Sequence, residues 1–260
     1  MIFSDLNYIS EDSIRSKWDI ILDQAHRAVK KYQPMSTSFL TPAEWIYADE
    51  ILNKIPDLCW FLDGGYEEAE RKILMMKHDD LNAVPSESLI EALSIRSTSK
   101  FHTLSHRDYL GAILSLGIKR DKIGDLIVSE NEAVVFAFKE MAEYIRLHLD
   151  KIGNCSVKIT NVSVEELSFE RPDYKLIKGT VASLRIDSLI ALAYTLSRKD
   201  AQLLIRQDRV KVNWKPVNKL NQELQCNETI SVSGYGRAVL LEVGGKTRSD
   251  RMHVTIGRKC

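Results

Sequence analysis

Cysteine is scarce in this sequence: four in 260 residues, at Cys59, Cys155, Cys226 and Cys260, with no CxxC pair among them. Thiols so scattered supply neither a structural zinc site nor a disulfide framework, and they fit a reduced, cytoplasmic protein. Long apolar runs are missing as well; no stretch approaches the ~20 residues that span a bilayer. The opening Met1-Ile2-Phe3-Ser4-Asp5 has no basic segment ahead of an apolar one, so no secretory signal is expected. Net charge is also absent, with 36 Lys+Arg against 36 Asp+Glu. A hydrophobic content of 44% is ordinary for a globular chain, and the length allows two or three small cores.

The usual signatures of nucleotide and metal chemistry are incomplete. Gly244-Gly245-Lys246-Thr247 imitates the end of a P-loop, but Leu240 stands where its first glycine belongs. Gly234-Tyr235-Gly236-Arg237 is too short for a dinucleotide fingerprint, and its glycines are expected to end a strand. His102 and His106 are four apart, yet no HExxH glutamate follows and a helix start at Ser105 separates them. His106-Arg107-Asp108 lacks the downstream asparagine and glycine-rich loop of a kinase. No metal, cofactor or small-molecule substrate is expected, and no enzymatic activity.

What is present is a segregation of charge. Residues 181–260 hold 14 Lys+Arg against 7 Asp+Glu, while residues 1–180 hold 22 against 29. The overall zero is the sum of a basic end and an acidic body, as expected of a nucleic-acid-binding segment on an otherwise acidic chain.

The periodicities predict an α+β protein in three parts. Residues 1–85 read as α-rich. A helix over 11–32 carries Ile14, Trp18, Ile21, Leu22, Ala25 and Val29 at helical spacing. Thr41-Pro42-Ala43-Glu44 opens a second helix that should run towards Lys54, short of Pro56. The apolar run 58–62 ends at Asp63-Gly64-Gly65-Tyr66, and the charged stretch 67–78 reads as a further helix. A polar, proline-broken stretch over 79–86 marks a boundary.

Residues 86–175 read as β-α-β-β-α-β, the ferredoxin-like order shared by RNA-recognition folds. The strand over 89–97 is followed by a helix over 105–116, capped by Ser105 with Asp108 at N3 and ended by Gly117. A hairpin over 123–128 and 133–138 turns at Ser129-Glu130-Asn131. An amphipathic helix over 139–152 ends at Gly153, and a strand covers 155–162. The strand with Phe136 and Phe138 lacks the basic and glycine positions of an RNA-stacking motif, so both rings are expected in the core. Residues 165–175 read as a connection.

In residues 181–260 a helix follows Ser183-Leu184-Arg185-Ile186-Asp187, and a second spans 199–207 with Ser197 as cap and Asp200 three residues on. A strand over 210–213, a turn at Trp214-Lys215-Pro216 and a strand over 229–233 come next. The last stretch reads as a basic tail with Lys246, Arg248, Arg251, Arg258 and Lys259. Arg198 and Lys199 sit in the first turn of a helix, where the macrodipole disfavours cations. Beside the Ser197 hydroxyl and the free N–H groups of the helix start, they suit a phosphate. Arg185, Arg206, Arg209, Lys211, Lys215 and Lys219 add charge in the same region, and Arg237 is placed to reach the same ligand.

These residues resemble the S4 domain, an RNA-binding fold named after a small-subunit ribosomal protein. The likeness rests on Arg185-Ile186-Asp187, Ser197-Arg198, Ile205, Val210-Lys211-Val212-Asn213 and Ile230-Ser231-Val232. Asp208 and Asn227 stand where glycine is common, and both residue types tolerate left-handed backbone. Further upstream, Gly64-Gly65-Tyr66 with Ala69-Glu70-Arg71-Lys72, then Ser105-His106-Arg107-Asp108-Tyr109-Leu110-Gly111-Ala112, Leu116-Gly117-Ile118-Lys119-Arg120 and Lys122-Ile123-Gly124-Asp125 resemble the YlmH family. Val212-Asn213-Trp214-Lys215-Pro216 continues that match. The resemblance implies a non-enzymatic RNA binder. Its partners would be ribosomal RNA or tRNA on the large ribosomal subunit, in rescue of stalled translation. One rival is an RNA-modifying enzyme that uses the S4 domain for docking, although no S-adenosylmethionine-type glycine loop or synthase aspartate motif is present. The other is a scaffold whose acidic part binds a basic protein.

Overall fold

The structure is a computed structural model that describes residues 6, 9, 11–81, 88–98, 104–129, 132–167, 174–217 and 219–259. His102, the tip of the expected hairpin at Glu130-Asn131, the 168–173 part of the connection and most of the break before Ser86 lie outside them. The chain forms two compact units, Met1–Ser168 and Phe169–Cys260.

The first unit opens with α1 (Asp12–Lys31), whose buried stripe is Ile14, Trp18, Ile21, Leu22, Ala25 and Ala28. It packs on a three-stranded antiparallel sheet of order β1-β3-β2, from β1 (Met35–Ser36), β2 (Leu58–Asp63) and β3 (Ile73–His78). The segment is therefore mixed rather than helical. The expected helix over 67–78 is a turn followed by β3, in which all six residues are buried. A central strand covered on both sides shows no alternation, so an apolar run such as Ile73-Leu74-Met75-Met76 does not declare its period. The helix opened by Thr41 is interrupted: α2 (Pro42–Trp45) stops and α3 (Ala48–Leu52) restarts. The Trp18 indole donates to the Glu44 carbonyl at 2.9 Å, the oxygen that an unbroken helix would present to the Ala48 amide.

The same unit continues with β4 (Ile90–Ser97), α4 (His106–Ser115), β5 (Ile123–Val128), β6 (Glu132–Phe138), α5 (Lys139–His148), β7 (Lys151–Ile152) and β8 (Cys155–Asn161). The sheet order is β5-β6-β4-β8-β7, and every paired neighbour is antiparallel. Ser105 and Asp108 form the expected reciprocal cap of α4. Helix α5 ends at His148, short of the expected 152, because Lys151–Ile152 pairs with Cys155–Ser156 across a turn containing Gly153.

Helices α4 and α5 cover one face of this sheet through Tyr109, Ile113, Ala142 and Ile145. The opposite face is covered by the preceding segment. Phe136 is fully buried and stacks on Tyr66 at 4.8 Å, and Phe138 meets Phe39 edge-on at 5.2 Å. Asp125 fastens the two segments: it accepts from the Tyr66 hydroxyl at 2.8 Å and from the Glu70 and Arg71 amides at 2.6 and 3.0 Å.

The second unit has one antiparallel sheet, order β11-β10-β12-β13-β14-β9, with two helices on it. Its elements are β9 (Tyr174–Val181), α6 (Ile186–Tyr194), α7 (Arg198–Arg206), β10 (Val210–Val212), β11 (Lys215–Pro216), β12 (Thr229–Val232), β13 (Gly236–Lys246) and β14 (Met252–Lys259). Ile186, Leu189, Ile190 and Ala193 of α6 and Ala201, Leu204 and Ile205 of α7 share a core with Val210, Val212, Ile230, Ala238 and Ile256. The stretch expected as a basic tail is the β13–β14 hairpin, and β14 pairs along its length with β9, a strand of which only the first two residues fall in the expected 165–175 connection and the rest in no expected element. Asp208 and Asn227 take φ of 54° and 70°, so both turns form without glycine. Among the described residues no helix is long and apolar enough to cross a membrane.

Candidate nucleic-acid interface

The centre of the basic region is an acid. Asp187 lies in the first turn of α6 and is wholly buried. Arg198 donates to it from Nε at 2.9 Å and from Nη2 at 3.4 Å, Gln202 from Nε2 at 2.8 Å, and Arg185 from Nε and Nη2 at 3.3 and 3.2 Å. Burial alone would raise the Asp187 carboxyl. The hydrogen bonds from Arg198, Gln202 and Arg185 outweigh it and hold the group at about 2. A carboxylate that stays charged in a buried position fixes two guanidiniums in place, each with donors left over.

This geometry revises the argument from the helix dipole. Arg198 at the start of α7 is compensated by Asp187, so its position has a structural cause. Its side chain still remains 52% exposed, and among the described residues Nη1 has no partner. Arg185 stands at the residue before α6 and its side chain is one-third exposed. The Asp187 clamp thus presents two oriented guanidiniums to solvent, the planar forks that suit phosphate oxygens.

Lys199 and Arg206 project from the outer face of α7 and have no ion-pair partner among the described residues. Between them at helical spacing lies Leu203, 52% exposed and not among the expected site residues. The Ser197 hydroxyl donates to Asp200 Oδ2 at 2.6 Å and accepts from the Asp200 amide at 3.1 Å, so it serves as the cap of α7. Lys219 is exposed in the loop before β12, whose Gln222 carbonyl receives the Ile186 amide at 2.8 Å.

The remaining cations lie elsewhere. Lys211 sits between buried Val210 and Val212, so its side chain leaves the sheet on the face away from α6 and α7. The strand register sets Lys211 opposite Ser231, and Ser231 opposite Arg237. Arg237 stands over the Trp214 ring at 5.8 Å. Asn213 and Trp214, at φ 45° and 63°, make the two-residue turn that brings Lys215 back against Val212. Arg209 donates to the Ser233 carbonyl at 2.8 Å. The ten residues read as one site are therefore divided. Arg185, Arg198, Lys199 and Arg206 stand on the helical side, whereas Lys211 and Arg237 stand on the opposite sheet face.

Of the expected tail, Lys246 pairs with Asp250 at 2.7 Å, and Arg251 donates to the Thr180 carbonyl at 2.6 Å. In the first unit His78, Asp79 and Asp80 bring three ligand-type atoms together. His78 Nδ1 already accepts from the Asp80 amide at 3.1 Å, which accounts for the group as a turn.

The signal that could have exposed the clamp was in the chain: Asp187 falls on the edge of the buried arc set by Ile186 and Ile190, between two arginines. The turn expected at Trp214-Lys215-Pro216 forms one residue earlier, at Asn213-Trp214, because tryptophan at a left-handed turn position is not predicted by turn chemistry.

Three family models match the chain in order: "YlmH, N-terminal" over residues 14–81, "Putative RNA-binding domain in YlmH" over 86–166 and "S4 domain" over 184–230. The Ribosome-associated protein quality control protein P2 of Bacillus subtilis (strain 168) is 30% identical over 230 residues, which is 88% of this chain and 89% of that protein. A solved structure titled Cell division protein ylmH, from Streptococcus pneumoniae, matches with a TM-score of 0.52 at 22% identity. That match covers 61% of this chain and 96% of the other, and supports the fold alone. With its three segments matched in order and a relative aligned over most of both lengths, the chain belongs to the YlmH family.

Proposed function

We propose that this protein docks structured RNA through its C-terminal unit, on ribosomal RNA or tRNA of the large ribosomal subunit, in cytoplasmic ribosome quality control. The observation that carries the reading is the Asp187 clamp. A buried carboxylate holds Arg185 and Arg198 at fixed positions, and Lys199 and Arg206 extend the same cationic surface along α7. Support comes from two matched models with RNA-binding character and from the name of the B. subtilis relative.

The parts are read as 1–85, a ferredoxin-like middle over 86–175 and an S4 domain over 181–260; the order β5-β6-β4-β8 supports the middle assignment. RNA held mainly by phosphate contacts is released steeply by salt. The test is co-sedimentation with purified ribosomal subunits across a salt series. Salt-sensitive retention on the large subunit, lost in Arg185→Ala/Arg198→Ala, is the expected result. Retention on neither subunit, or retention that ignores those arginines, would overturn the reading.

A further inference from the structure

An RNA-recognition sheet stacks bases on its open face, and in the middle segment that face is covered around Phe136 and Phe138 by Tyr66 and Phe39. RNA contact by this segment needs another surface, and the helical side has one. A cleft of about 320 Å³ opens where α4 ends beside α5, lined by Leu116, Gly117, Met141 and Tyr144 with Lys119 and Lys122. Among the described residues no carboxylate lines it. Its volume lies within the ~300–1,000 Å³ usual for small-ligand clefts.

The lining has two chemistries side by side. Tyr144 is 38% exposed, and its ring lies nearly parallel to His148 at 4.1 Å. His148 Nδ1 lies 2.9 Å from the Tyr144 carbonyl, which holds the pair in register along α5. Lys119 and Lys122 are both exposed, with no ion-pair partner among the described residues; outside the cleft, the Lys122 ammonium also stands 5.1 Å from the centre of the Phe138 ring. A flat apolar wall beside two cations fits a ligand with a planar ring and a flanking negative charge. An acidic peptide would satisfy the lysines but leave the aromatic wall unused.

From this juxtaposition we infer that the cleft seats one unpaired nucleotide of an RNA strand, its base against Tyr144 and Met141 and its phosphates on Lys119 and Lys122. The inference deepens the RNA-binding reading and adds a site remote in sequence from the Asp187 clamp. The protein then holds two kinds of RNA, structured RNA on α7 and an unpaired nucleotide here.

The test uses the full-length protein and a fluorescein-labelled single-stranded heptaribonucleotide containing 4-thiouridine, with a blunt RNA hairpin as the second probe. Tyr144→Ala and the pair Lys119→Ala/Lys122→Ala should each weaken heptamer binding by about 10-fold, as loss of a base–aromatic stack or of phosphate contacts does. Tyr144→Phe keeps the ring and should keep the affinity. Photocrosslinks should map to Lys139–His148. Arg185→Ala/Arg198→Ala should weaken hairpin binding and leave the heptamer in place. Unchanged heptamer affinity in the cleft variants, or crosslinks confined to residues 181–260, would overturn the inference. So would displacement of the heptamer by adenosine monophosphate at comparable concentration, which marks a free-nucleotide pocket, or capture of a glutamate-rich peptide in its place. Loss of hairpin binding by the unaltered protein would defeat the C-terminal reading and leave the heptamer result standing.

Discussion

Arg198 donates to the buried carboxylate of Asp187 at 2.9 Å, joining the start of α7 to the start of α6. The two partners are not equivalent. Removing Arg198 leaves Asp187 with Arg185 and Gln202 as donors, whereas removing Asp187 leaves two guanidiniums without their common anion. Asp187→Ala is expected to destabilise the second unit by about 3 kcal/mol, because it removes at once the acceptor of the charge-assisted bonds from Arg198, Gln202 and Arg185. Arg198→Ala should cost about 1–2 kcal/mol, the scale of a lost charge-assisted hydrogen bond. Urea denaturation of both variants checks the ranking, and a larger loss for Arg198→Ala would contradict the clamp.

The same carboxylate gives the unit an acid limit. The folded Asp187 carboxyl is depressed to about 2, below its unfolded value of ~3.9. A group with a depressed folded pKa contributes stability that is fully present above the unfolded value and is lost as pH falls through the folded one. The contribution, about 2 kcal/mol, should therefore fade between pH ~4 and ~2. In Asp187→Asn that part of the pH dependence should be missing. Unfolding free energies of the two proteins measured from pH 5 to pH 2 should converge at the acid end; parallel curves would assign the acid loss to other groups.

Binding should separate the clamp from bulk charge. Arg198→Lys keeps the cation but removes the planar fork that grips Asp187 and leaves Nη1 outward. It is expected to lose most of the RNA affinity that Arg198→Ala loses. Lys199→Ala removes an exposed point charge and should lower the slope of log K against log salt by roughly one phosphate contact, ~0.7–0.9. Titrations at four salt concentrations distinguish the two effects. Full activity of Arg198→Lys would reduce the site to a diffuse basic surface.

Much of this was legible from the chain, and the parts that were not share a cause. The Ser105–Asp108 cap, the hairpin strands around residue 130 and the burial of Phe136 follow from local signals: a capping pair, period-two alternation and a missing stacking motif. Strand β3 was hidden because its side chains are buried on both faces of the sheet, which erases alternation. The end of α2 was hidden because its cause, the Trp18 indole on the Glu44 carbonyl, lies 26 residues away in sequence. At the site, counting cations marked a region but treated its cations as one surface. Only strand register shows that Lys211 and Arg237 leave the sheet on the side opposite the helices. Asp187 was visible as a letter in the motif, but its role depends on three donors from two helices.

Two glycines of the upstream motifs should respond to the same substitution with opposite sign. Gly65 has φ +87°, and a Cβ there would stand 2.7 Å from the Phe136 ring and 3.0 Å from Ile90. Alanine at this position must adopt left-handed backbone and push into the stack of Phe136 on Tyr66. The first effect costs about 1–2 kcal/mol and the overpacking about 1–3 kcal/mol. Gly65→Ala should thus destabilise the first unit by about 2–5 kcal/mol while RNA binding by the C-terminal unit persists in native conditions. Gly111 lies inside α4 with nothing within 4 Å of its would-be Cβ. There alanine reduces the freedom of the unfolded chain and restores helix propensity, so Gly111→Ala should stabilise by about 0.5–1 kcal/mol. Denaturation midpoints of the two variants measured side by side should move in opposite directions. A stabilising Gly65→Ala would mean that the close packing of Gly65 on Phe136 does not hold in solution, and with it the occlusion of that sheet face.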